Sequence, residues 1–148
     1  MARKICTILL ALAKMIADEN IVLKRSIWIS FTVYEEVGHG GSSSVPAGVT
    51  EAISVDMGCV GDGLNCTERQ VSICAKDAFT MYDYELTNRL IRYAEKADCP
   101  YAVDTFTRYS TDGAGCDFWT GTLGTDQGCA GAGNGPLCGW RTLAAVSQ

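Results

Sequence analysis

The run Ile27-Trp28-Ile29-Ser30-Phe31-Thr32-Val33-Tyr34 constrains this chain more than any other stretch. It is β-branched and aromatic throughout, so it reads as a strand, and its apolar residues fall on both faces, which predicts a central place in a sheet. It runs directly into Glu35-Glu36-Val37-Gly38-His39-Gly40-Gly41. In an open α/β sheet, chemistry gathers just past the carboxyl ends of strands. Side chains alternate along a strand, so two adjacent acids can face one site only where the strand ends and the backbone turns. The glycines after Glu36 permit that turn. A second apolar run, Ala52-Ile53-Ser54-Val55-Asp56-Met57-Gly58, also ends in an acid and a glycine. If the two strands are neighbours and deliver their carboxylates at one end, those acids could share a cation.

The remaining chain is read in order. Residues 3–18 form a helix with Ile8, Leu9, Leu12, Met15 and Ile16 on one face, closed by Asp18-Glu19-Asn20. The basic start and apolar run of this segment also resemble a signal peptide, but the amphipathic spacing favours a helix of the fold. Residues 38–48 are a loop, with a helical turn expected around Ser42-Ser43-Ser44. Strands follow at 52–56 and 70–75, separated by a loop at 58–64. Residues 83–97 carry Leu86, Leu90, Ile91 and Ala94 at helical spacing, begin at Asp83 and are stopped by Pro100. A further strand spans 101–106. The order α-β-β-β-α-β predicts a three-layer α/β/α fold whose sheet need not be wholly parallel.

Composition narrows the function. The 148 residues suit one domain, with a net charge of −5 and no basic patch, which argues against nucleic acid as a partner. No apolar run approaches the ~20 residues that span a membrane. The eight cysteines include no C-x-x-C pair, so neither a cysteine-rich zinc site nor a disulfide scaffold is indicated. Cys6, Cys74 and Cys99 read as small core residues, and reduced thiols in the cytoplasm are the expectation. Trp28 reads as core; Tyr82, Tyr84 and Tyr93 read as core or interface aromatics. From residue 113 to 148 the chain holds nine of its sixteen glycines and only three charges, Asp117, Asp126 and Arg141. No helical or strand period is visible there, so a division into 1–112 and an atypical, disordered or frame-shifted tail 113–148 is expected.

Glu35-Glu36-Val37-Gly38, Val55-Asp56-Met57-Gly58 and Val71-Ser72-Ile73-Cys74-Ala75-Lys76-Asp77, in that order and spacing, resemble the M42 family of metallopeptidases. The similarity covers about 3–112 and includes the 5–16 helix, the Tyr82-Asp83-Tyr84 helix start and the loop Tyr109-Ser110-Thr111-Asp112. The resemblance implies a cytoplasmic aminopeptidase of the cocatalytic two-metal type, using zinc or cobalt on peptide substrates and assembling as a dodecamer. It implies Glu35 as general base, Glu36 and Asp56 as metal ligands, and Tyr109 and Asp112 near the substrate. The family site also uses an upstream histidine, a bridging aspartate and a late histidine. Here the sole histidine is His39, so an incomplete ligand set, a domain incomplete at both ends and impaired activity are expected. The family's small β domain, inserted upstream of this region, is expected to be absent. The alternatives are a catalytically dead fragment or a non-enzymatic metal- or peptide-binding module built on Glu36, Asp56 and His39. Asp62, in Gly61-Asp62-Gly63, reads as turn chemistry; Lys76 and Asp77 could pair with each other or line the cleft.

Overall fold

The computed structural model describes residues 2–32, 46–111, 119–125 and 142–147. Its elements run α1 (Ala2–Asp18), β1 (Ile27–Phe31), β2 (Val49–Met57), β3 (Val71–Lys76), α2 (Tyr84–Lys96), β4 (Tyr101–Thr105), β5 (Trp119–Thr125) and β6 (Thr142–Ser147). The six strands form one sheet in the order β1-β6-β2-β5-β3-β4. β6 pairs antiparallel with both β1 and β2, β5 pairs parallel with β2 and antiparallel with β3, and β3 and β4 are parallel. This is a partial α/β domain.

Both helices end for the same local reason. Asn20 and Asp98 adopt the left-handed backbone conformation, with φ of 51° and 50°. The next amides then reach back five residues, Ile21 to the Ile16 carbonyl at 3.0 Å and Cys99 to the Ala94 carbonyl at 2.9 Å. These are Schellman closures, in which otherwise orphaned helix carbonyls are satisfied. At the start of α2, Asp83 Oδ1 accepts from the Leu86 amide at 2.7 Å, an N-cap as the sequence predicts. Leu86, Thr87 and Leu90 make the buried face of α2.

Two apolar clusters anchor the sheet. Leu9 of α1 packs with Val55, Ile29 and Ile53. Cys74, Tyr82 and Phe106 pack with Cys59, Leu64 and Tyr109. Alternation along β2 puts Glu51 on the face of Ile53 and Val55. There Glu51 accepts from Arg25 at 2.8 Å and from Arg89 of α2, so one carboxylate ties β2 to both flanking segments.

Three expectations change. β1 is an edge strand, not a central one, and Trp28 is 51% exposed, so it is not core. An apolar pattern on both faces reports hydrophobicity, not the number of strand neighbours. Tyr84 and Tyr93 are also exposed, whereas Tyr82 is buried; Cys74 is buried, whereas Cys6 and Cys99 are only partly so. The segment 113–148, expected to hold no strand, contributes β5 and β6, which occupy inner positions of the sheet. Their threonine, glycine and alanine content hides the period that marks a strand, yet threonine is a good strand former and small residues suit inner positions. The end of the expected 27–34 strand and the serine turn at 42–44 lie outside the described residues.

Candidate active site

Asp56 is the penultimate residue of β2 and is 1% exposed. Its Oδ1 accepts from the Met57 amide at 2.7 Å, which fixes the carboxylate against its own strand end. Phe31 at the end of β1 and Val55 of β2 both pair with Thr142 of β6. β1 and β2 therefore run in the same direction, and the end of β1 stands level with Val55, two residues before the end of β2. They are not the immediate neighbours that the sequence suggests: β6 lies between them, so they stand roughly 10 Å apart, two strand spacings. Thr32, the residue after β1, is buried. Glu35, Glu36, His39 and Asp112 lie outside the described residues.

The loop 106–111 closes over this end of β2. Tyr109 donates its hydroxyl to the Met57 carbonyl at 3.3 Å, and Thr111 donates to Ser54 Oγ at 3.2 Å. Alternation places Ser54 and Asp56 on one face of β2. The loop is itself held: the Tyr109 carbonyl accepts from the Ala78 amide at 2.9 Å, and the Phe106 amide donates to the Lys76 carbonyl at 2.8 Å. The Phe106 and Tyr109 rings meet edge to face with centroids 5.4 Å apart. Tyr109 thus stands beside the strand end that carries Asp56.

Two further buried aspartates have other work. Asp77 accepts from the Phe79 and Thr80 amides at 2.8 Å each and from the Tyr82 hydroxyl at 2.6 Å. Lys76 donates to the Asp77 backbone carbonyl, so the two side chains do not form an ion pair with each other. Asp104 accepts from the Asn65 amide at 2.7 Å and Ser72 Oγ at 2.9 Å. Both carboxylates are saturated by local donors and read as fold-holding. The sequence signal for Asp77 was the small polar Thr80 after an aspartate that follows a strand, the mark of an Asx turn. Asp104, an acid inside an apolar strand, carried a signal of its own that sequence reasoning passed over. Cys74 lies between them; burial pushes its thiol up to about 12, with Asp77, Asp104 and Cys59 adding to the effect and a hydrogen bond from the Lys76 backbone opposing it. It is not a ready nucleophile. Asp62 sits in an exposed turn closed by the Leu64 amide on the Gly61 carbonyl, as its glycines predict.

Among the described residues, no group of three or more His, Cys, Asp or Glu side chains could hold a metal ion. Asp56 offers a hard carboxylate donor, the type that divalent cations accept.

The M42 glutamyl aminopeptidase family matches residues 2–125 of this chain. The chain belongs to that family, a family of peptidases. The match runs past 112 to the last residue of β5. Over 105 residues the chain is 39% identical to the putative aminopeptidase YhfE of Bacillus subtilis (strain 168). That alignment covers 71% of this chain and 30% of the relative, so the chain spans about three-tenths of the curated protein it matches. A TET aminopeptidase from the marine sediment archaeon Thaumarchaeota archaeon SCGC AB-539-E09 aligns at a TM-score of 0.41 and 12% identity, over 66% of this chain and 28% of that one.

Proposed function

We propose that this chain carries part of a metal-dependent aminopeptidase site acting on the N-terminal residues of peptides. The observation that supports this best is the register: β1 and β2 run in the same direction, the end of β1 stands level with Val55, next to the buried carboxylate of Asp56, and Glu35-Glu36 follow β1 in the sequence. Glu36 and Asp56 would hold divalent cation, zinc or cobalt, through hard carboxylate oxygens. Such a cation, when bound, acidifies water and polarises the scissile carbonyl. Glu35, adjacent in sequence but free of ligand duty, takes a proton at its carboxylate as general base. Tyr109 and Asp112 would contribute to the substrate side of that site. Family membership supports peptide substrates; homo-oligomerisation of this chain is part of the proposal. A cytoplasmic location is part of the proposal.

The whole sequence holds one histidine, His39. A two-metal site built from carboxylates with a single imidazole is short of ligands, so activity of this chain by itself is reduced. The test is hydrolysis of aminoacyl-anilides with added zinc or cobalt. Slow turnover abolished by Glu35→Gln is expected; no turnover at any metal concentration would contradict the enzymatic reading and favour a metal- or peptide-binding module.

A further inference from the structure

We propose that loop 106–111 is a strap that positions Asp56 through the backbone of β2, with Tyr109 and Thr111 as its two attachment points. The inference rests on the metal-binding reading of Asp56 given above. Met57 is held from both sides. Its amide donates to Asp56 Oδ1 at 2.7 Å, and its carbonyl accepts the Tyr109 hydroxyl at 3.3 Å. Any rotation of the Met57 backbone that frees the Tyr109 hydroxyl also shifts the amide that orients the carboxylate. Two residues before Asp56, on the same strand face, Ser54 is tied to Thr111 at 3.2 Å, and both hydroxyls are buried. Asp56 therefore sits between two points where one loop grips one strand.

The strap is built to resist movement. Tyr109 is anchored by its carbonyl to Ala78, by its ring to Phe106 and by packing into the Cys74–Tyr82–Phe106 cluster. The stiff βαβ half of the sheet thus sets the position of a carboxylate on the other half. The Tyr109 hydroxyl acts on the site through β2. It is a positioning group, and its counterpart in metal sites generally is the outer-shell partner that orients a ligand.

The test is calorimetric titration of the intact chain with zinc chloride, together with thermal unfolding of the metal-free protein. Tyr109→Phe removes only the hydroxyl, and Thr111→Val removes the other attachment while keeping shape. Each should weaken zinc binding about tenfold, the loss typical of a ligand's outer-shell partner, while Thr111→Ser, which keeps a hydroxyl, should bind as the unaltered chain does. Asp56→Asn should bind more weakly than any of them. Zinc affinity unchanged in Tyr109→Phe and Thr111→Val, with Asp56→Asn still impaired, would overturn the strap and leave the ligand assignment standing. Loss in Thr111→Ser equal to that in Thr111→Val would also overturn it, because packing rather than the hydroxyl would then be the cause. Absence of zinc binding in the unaltered chain would overturn the ligand reading and the strap with it.

Discussion

The two halves of the sheet are built by different rules. β3, α2 and β4 form a βαβ unit within 71–105, in which parallel neighbours are joined by the helix between them. Everything that shapes it is near in sequence: the Asp83 cap, the Asx turn at Asp77, the Schellman closure at Asp98 and the stop at Pro100. Its open edge is also managed. Pro100 aims its carbonyl at β3, so those of Tyr101 and Val103 point outward, and these accept from the side-chain amides of Gln70 and Asn65. Edge strands blunted in this way do not offer a pairing template. The β1–β2 half differs. Its strands are joined only through β6, more than 80 residues further along the chain. Its edge strand leaves Trp28 and Phe31 exposed. The locally built half is expected to be the more stable, and the non-local half carries the candidate chemistry. That division agrees with a general pattern in which function is drawn from the less stable parts of a structure.

The contrast can be broken first by deletion of core. Ile73 on β3 is 1% exposed, whereas Ile29 on β1 is only partly buried. Ile73→Ala should cost about 4 kcal/mol and Ile29→Ala about 1–2 kcal/mol, because only the former leaves a closed cavity. Equal losses by denaturant unfolding would erase the distinction. Next in size is Asp77→Ala, which strands two amides and a buried tyrosine hydroxyl. A loss of about 2–3 kcal/mol is expected, with metal binding at Asp56 weakened far less than by Asp56→Asn. Asp83→Ala removes the α2 cap and should cost about 1 kcal/mol, seen as a lower melting temperature with an unchanged fold.

The smallest effect is titration. The folded Cys74 thiol is raised from 9.0 to about 12. A raised acid keeps its proton in the folded chain after the unfolded chain has lost it, so its contribution to stability is fully present below pH 9.0 and is lost between pH 9.0 and about 12. Cys74→Ala should flatten that alkaline loss relative to its own neutral-pH stability. An identical alkaline slope in the variant would show that other groups govern it.

How much of this was legible in the sequence follows the same division. α2 could be read almost to the residue, because its cap, amphipathic face and stop are local signals. So could the end of α1 at Asn20 and the placing of Asp56 at a strand terminus. The edge position of β1 could not, since hydrophobicity on two faces does not count neighbours. β6 was hidden for a related reason: Thr142-Leu143-Ala144-Ala145-Val146-Ser147 is short, and its pairing with β1 and β2 is a long-range choice. The alignment of the end of β1 with Val55 depends on that strand, so the frame around Asp56 was out of reach. For Asp77 the sequence left open an ion pair with Lys76 or a place in the cleft, because charge proximity in sequence says nothing about a turn that consumes the carboxylate.

The most direct measurement is hydrogen exchange, residue by residue, with and without added zinc. If the metal site belongs to the ends of β1 and β2, zinc slows exchange of the amides at and just beyond Phe31 and Met57 and leaves β3, α2 and β4 unchanged. Slowing confined to β3, α2 and β4, or spread evenly over the sheet, would contradict it.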